Sequence, residues 1–168
     1  MPEYFDIVDR NDHVVGKDLR SNVHRYSKMH RAVHVMIFNK ENEYFLQRRS
    51  ASKDVSPLCW GSSVSGHLDS GEDYDAAALR ETFEEVGAQP ESLNFILKTS
   101  AKEETGQEFV KVYDFQHDSS LRLNTDEICE GCWKQVEDIN AWIKSDPEMF
   151  SRSFRYIWSK YRICKESS

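Results

Sequence analysis

Long hydrophobic runs are missing from this 168-residue chain. Its longest apolar-looking stretch, residues 32–38, is interrupted by His34 and falls far short of the ~20 residues that span a bilayer. The first ten residues lack a basic start followed by an apolar core, so no secretory signal is expected. Proline and glycine are sparse, at 4 and 7 residues, and there are no Pro/Ser-rich linkers, repeats or low-complexity tracts. Nothing marks a boundary, and one domain over residues 1–168, large enough for a real core, is expected. Cysteine is limited to four residues, of which Cys129 and Cys132 form a lone CxxC. A zinc ribbon needs a second pair or a histidine pair at matching spacing, and neither is present. Basic charge is also short: 22 Lys and Arg against 29 Asp and Glu, a net charge of −7. That balance argues against a nucleic-acid backbone as partner. Small phosphorylated substrates remain open, because local charge and metals decide those. The chain is expected to be soluble and cytoplasmic, with no membrane partner, and composition does not set an oligomeric state.

The pattern along the chain is mixed. Residues 4–8, 13–15, 32–38, 44–48, 60–65, 93–97, 108–115 and 128–136 read as strands. Residues 18–29 are polar and read as irregular or weakly helical. Residues 136–143 and 147–163 carry helical periodicity. In the second, Phe150, Phe154, Ile157, Trp158 and Tyr161 form one stripe, which reads as core packing.

The chemistry is concentrated between residues 66 and 88. Gly66 is followed, after five intervening residues, by Glu72; seven more precede Arg80-Glu81, and then come Glu84-Glu85 and Gly87. Ala76, Leu79, Phe83 and Val86 recur at helical spacing and predict an apolar stripe. At about 100° per residue, Glu81, Glu84 and Glu85 are expected on the opposite face. Asp73 is the expected N-cap and Gly87 the stop. Three clustered carboxylates repel one another unless cations sit between them. Hard oxygen ligands select Mg²⁺ or Mn²⁺, which also bridge phosphate oxygens. Arg80 lies one turn before Glu84 and can orient carboxylates through forked hydrogen bonds, with Glu72 as its expected partner. A bare REXXEE reads as a solvated glutamate-rich helix face. The matched glycines, Glu72, and the lack of a lysine at helical spacing argue against that here.

The pattern resembles the Nudix box, Gx5Ex7REUxEExGU with U apolar. All seven fixed positions are met, and Thr82 and Ala88 are loose fits at U. Seven such matches arise by chance on the order of once in a million chains of this size. The resemblance implies an α/β fold, a Nudix-type α/β/α sandwich with a mixed sheet and C-terminal helices. It also implies a metal-dependent hydrolase of a diphosphate linked to another group. Glu84 and Glu85 are then the first metal ligands, Glu81 the next, and Arg80 a catalytic support.

Outside the box, His30-Arg31-Ala32, Leu46-Gln47-Arg48-Arg49, Ser52-Lys53-Asp54 and Trp60 look like the isopentenyl-diphosphate isomerase-like branch. That resemblance implies that Arg49 and Lys53 contact the diphosphate and that Glu108 is a ligand from outside the box. The isomerases carry a catalytic cysteine just before the box glycine, where this chain has Ser65, a poorer acid and nucleophile. A second strand glutamate of that branch is Gly106 here. Hydrolysis is therefore expected over isomerisation. A non-catalytic binding module ranks third, because all three carboxylates are kept. His24, His30 and His67 sit near the isomerases' metal ligands, with His24 one residue out of place. They are expected to be surface or hydrogen-bonded residues. Trp60, Phe83 and Tyr113 are candidate base-stacking aromatics, with core packing the expected role. The substrate is expected to be a small nucleotide or other organic diphosphate.

Overall fold

The computed structural model describes residues 1–168. Strand β3 (His30–Phe38) sends Val33, Val35 and Ile37 to one side and Ala32 and Met36 to the other. A strand buried on both faces belongs at the centre of a covered sheet. β3 runs parallel to β8 (Glu108–Gln116), in register from His30↔Glu108 to Phe38↔Gln116. β7 (Asn94–Thr99) adds to β8 antiparallel. On its other edge β3 meets β4 (Glu43–Arg49) at Phe38↔Tyr44, and β6 (Val64–His67) along Ala32 to Val35. β4 also pairs with β5 (Trp60–Gly61) and with β9 (Ile128–Gln135). One parallel pair among antiparallel ones makes the sheet mixed.

β3 and β4 splay apart beyond their hairpin, and buried Ser63 fills the wedge. Its Oγ accepts from Ile37 N at 2.8 Å and donates to Phe45 O at 2.5 Å, joining the two strands through one side chain. Gln47 Nε2 donates to Ser63 O at 2.9 Å and tightens the same junction. The wedge opens the sheet where the site lies.

Helix α2 (Tyr74–Val86) covers one face, packing Ala77, Ala78 and Val86 on Val33, Val35 and Phe45. Helices α3 (Val136–Ser145) and α4 (Arg152–Glu166) cover the other, with Ile139, Phe154, Ile157 and Tyr161 against Ala32, Met36 and Leu46. The architecture is the α/β/α sandwich with C-terminal helices. At the edge, β1 (Tyr4–Val8) and β2 (Val14–Leu19) form a separate ladder that leads into the short helix α1 (Arg20–Arg25). No helix is long and apolar enough to cross a membrane.

Two expected elements are broken in the structure. Residues 60–65 split into β5 and β6, because Ser62 and Ser63 turn inward to bond across the wedge. The helix expected over 147–163 is a single 3₁₀ turn, Pro147–Met149, followed by α4. Phe150 leaves the helix to bury itself beside Trp60, and Ser151 then caps α4 by accepting from Phe154 N at 3.2 Å.

Candidate active site

Helix α2 starts where Asp73 Oδ1 accepts from Ala76 N at 2.8 Å. It stops at Gly87, whose φ of 73° suits glycine in the left-handed region. The expected stripe is corrected between these ends. Leu79 and Phe83 are 36% and 44% exposed, Ala76 is also exposed, and of that stripe only Val86 enters the core. The buried face is Tyr74, Ala77, Ala78, Thr82, Glu85 and Val86. Small side chains at 77, 78 and 82 bring the helix close to the sheet. Glu81 and Glu85 therefore point inward along the edge of the core, and only Glu84 reaches open solvent.

Gly66 on β6 makes this inward position possible. A Cβ there would lie 2.2 Å from Glu81 Cδ, so the carboxylate rests directly on the strand backbone. Glu85 is 3% exposed and accepts from Gln47 Nε2 at 2.6 Å. Burial pushes its carboxyl well above the usual range, and the neighbouring Glu81 adds to that. Burial raises Glu81 as well, with Arg80 opposing it. Arg80 is the hub: Nε and Nη2 hold Glu72 at 2.7 and 2.8 Å, and Nη1 reaches Glu81 at 2.9 Å and Glu84 at 3.1 Å. Nη2 also donates to His67 O at 3.1 Å. One guanidinium thus hydrogen-bonds three carboxylates, with Asp69 a fourth at 3.7 Å, and Glu85 has no cationic partner at all. An all-oxygen donor set short of positive charge fits a hard divalent cation.

A second cluster forms from four separate segments. The parallel register sets Glu108 beside His30, and the antiparallel register sets His67 beside Ala32. His67 Nε2 is 2.7 Å and His30 Nε2 3.2 Å from Glu108 Oε2. His24 arrives from α1, and one ring nitrogen of each histidine lies within 4.8 Å of the others. Of the expected surface or hydrogen-bonded roles, His30 and His67 take the second: His30 is 1% exposed and bonds Lys28 O, His67 bonds Glu108, and the three rings converge. Burial holds His24 down at about 4 and lowers His67, so both are neutral imidazoles at neutral pH. Burial alone would raise Glu108, but His67 and His30 outweigh it and keep the carboxyl far below its usual range. His30 Nδ1 bonds Lys28 O at 2.8 Å, while its buried Nε2 has no well-formed hydrogen bond. Three imidazoles with one carboxylate and an orphaned ring nitrogen fit a divalent first-row metal. Glu108 makes its bonds within this cluster, not to the box carboxylates.

Both clusters open on one cavity of about 460 Å³, which Arg49, Lys53, Ser65, Glu81, Glu84 and Glu108 help to line. Arg49 Nε donates to Val55 O at 2.9 Å, and Lys53 is paired with Glu127 at 2.7 Å. Trp60 and Tyr113 are buried in the core, and Phe83 lies on the outer face of α2. Two features escaped the sequence: Gln47 as the anchor of Glu85, and His34, whose Nδ1 shares a 2.7 Å hydrogen bond with Ser62 Oγ. Nothing local marks either.

A family model described as the NUDIX domain matches residues 28–153. The chain belongs to the Nudix family. An uncharacterized Nudix hydrolase of Nostoc sp. is 32% identical over 150 residues, 86% of this chain and 88% of its own. An isopentenyl-diphosphate Delta-isomerase 2 of Photorhabdus laumondii is 27% identical over 161 residues, 94% of this chain and 91% of its own. The crystal structure of DR0079 from Deinococcus radiodurans superposes with a TM-score of 0.77 at 31% identity, covering 85% of this chain and 90% of that one. Nudix relatives of both names, hydrolase and isomerase, match most of the chain, so the choice between the two chemistries falls to individual residues.

Proposed function

We propose that this Nudix chain is a metal-dependent hydrolase that cleaves a diphosphate linkage in a nucleotide or other organic diphosphate. The observation that carries the reading is Glu85, buried beside Glu81 and left without a cationic partner. Such a pair is costly to bury unless positive charge arrives with the ligand. Glu81, Glu84 and Glu85 would hold Mg²⁺ or Mn²⁺, which supplies charge neutralisation and a more acidic water. Arg80 fixes the direction of Glu81 and Glu84, and Glu72 fixes Arg80. Arg49, whose guanidinium has no carboxylate partner, is placed to take phosphate oxygens. Water attacks phosphorus and a cavity glutamate takes its proton. The bridging P–O bond breaks, with its electron pair leaving on phosphate.

The histidine cluster favours a second reading, an isopentenyl-diphosphate isomerase. Ser65 speaks against it, because moving a proton on and off an alkene needs a better acid than a hydroxyl. Gly106 adds to this by supplying no carboxylate. A panel of diphosphates with Mg²⁺ or Mn²⁺, with products identified by mass, tests the choice. Phosphate release supports hydrolysis. Dimethylallyl diphosphate formed from isopentenyl diphosphate, and no phosphate release from any member, would overturn it.

A further inference from the structure

The cavity beyond the carboxylates is poor in the surfaces that hold a nucleobase or a hydrocarbon tail. Phe5, Val23, Ala32 and Val55 are its four apolar side chains. Phe5 and Val23 are 2% and 0% exposed, so they back the wall without forming much of it. Phe5 is also the one phenyl or indole ring there, and it is already covered. His67 stacks on it at 4.7 Å, His30 at 5.7 Å, and the Arg20 guanidinium lies 5.8 Å from its centre. No phenyl or indole ring is left with a free face for a base to stack on.

Small and hydroxylated residues take their place. The face of β3 that carries Met36 further along narrows to Ala32 and His34 at the cavity, and Gly61 and Ser62 continue the floor. Ser65 of β6 and Ser153 of α4 add hydroxyls at the sides. His34 is 4% exposed; Ser62 holds its Nδ1, and no protein group bonds its Nε2. Burial lowers His34 to about 4, so it meets a ligand as a neutral hydrogen-bonding ring. A ring nitrogen that opens on the cavity without a protein partner can pair a hydroxyl of the ligand.

We propose that the group attached to the diphosphate is small and hydroxylated, a sugar or polyol in place of a nucleoside or an isoprenoid, and that His34 and Ser62 read its hydroxyls. This rests on the hydrolase reading and narrows its substrate. Water would add to phosphorus and the bridging oxygen would leave with inorganic phosphate, giving the sugar monophosphate. The cavity volume lies within the range of small-molecule sites.

The test compares kcat/KM for phosphoribosyl diphosphate, ADP, CDP and isopentenyl diphosphate, with Mg²⁺, in the wild type and in Ser62→Ala and His34→Leu. We expect phosphoribosyl diphosphate to exceed the other three by about tenfold or more: isopentenyl diphosphate has no hydroxyl for His34 and Ser62 to pair, and ADP and CDP carry a base for which the cavity offers no free phenyl or indole face. Each variant should raise KM for that substrate by about tenfold and leave kcat/KM for isopentenyl diphosphate, which has no hydroxyl to lose, within about twofold, the pattern of a lost binding contact. Ser62→Ala is the smaller change and keeps the test informative if His34→Leu does not fold. Preference for ADP or CDP, or variants that weaken all substrates equally, would overturn the inference and leave the hydrolase standing. No turnover of any diphosphate would overturn the hydrolase reading itself.

Discussion

The box carboxylates and the histidine cluster face the same cavity but are built in opposite ways. Glu81, Glu84 and Glu85 come from little more than one turn of α2, and Arg80 from the same helix clamps the first two. His24, His30, His67 and Glu108 come from α1, β3, β6 and β8 and meet through sheet register. The first cluster is short of positive charge and buries a carboxylate without a cation. The second surrounds one carboxylate with imidazoles, His67 at 2.7 Å and His30 at 3.2 Å from Glu108. On the proposed reading the first gains charge compensation from a bound cation, and the second depends on it less. That difference makes the two separable by mutation.

The largest expected effect is on Glu85→Gln, which should lower kcat on an established diphosphate by about 10²-fold or more, as for other electrostatic elements of a site. Its thermal midpoint should hold or rise, because a buried unpaired carboxylate becomes a neutral amide. His67→Ala in the same assay should cost less than about tenfold if hydrolysis belongs to the box, a comparison read as a difference of free energies. Equal losses would merge the two clusters into one site.

Metal loading sharpens the contrast. At about one hundred times its dissociation constant, Mn²⁺ bound to the folded state alone stabilises by about 2.7 kcal/mol. Melting curves should show that gain in the wild type. They should lose most of it in the Glu81→Gln/Glu85→Gln double variant and keep more of it in a His24→Ala/His67→Ala double variant. Identical gains in both would place the ion elsewhere.

Ser63→Ala tests the wedge that opens the sheet between the clusters. It leaves Ile37 N buried without a partner, at a cost of about 1–3 kcal/mol by denaturant unfolding. No change in stability would mean that the splayed strands close up by themselves. Gly66→Ala should act on the box alone, because its new Cβ meets the Glu81 carboxylate. A fall of roughly tenfold in kcat, about 1.4 kcal/mol, with little change in melting, is expected. The smallest effect is Gly87→Ala, where a side chain in the left-handed region costs about 1 kcal/mol by the same unfolding measurement.

The same contrast explains what the sequence could and could not reveal. Asp73, Gly87 and the Glu72–Arg80 pair are local, so spacing was enough to place them. The direction of α2 was misread because Leu79 and Phe83 outweigh Ala77, Ala78 and Thr82 in hydrophobicity. Packing chose the smaller side chains, which bring helix and sheet closer. The parallel sheet position of Glu108 and the inward turn of Ser62 and Ser63 depend on strand order, which no short window contains. His34 is invisible for the same reason: as one polar residue within an apolar run, it gains meaning only when Ser62 meets it. The resemblance to the isomerase-like branch did bring His30 and His67 forward, but only register could show that they converge on Glu108.

The most direct measurement is turnover of the Mg²⁺- or Mn²⁺-loaded chain in ¹⁸O-labelled water, with a panel that includes isopentenyl diphosphate and with every product weighed. Hydrolysis by the box places one labelled oxygen in a phosphate product, and Glu85→Gln abolishes it. Unlabelled dimethylallyl diphosphate, formed in the wild type and in Glu85→Gln alike but lost in Glu108→Gln, would contradict that and give the chemistry to the histidine cluster.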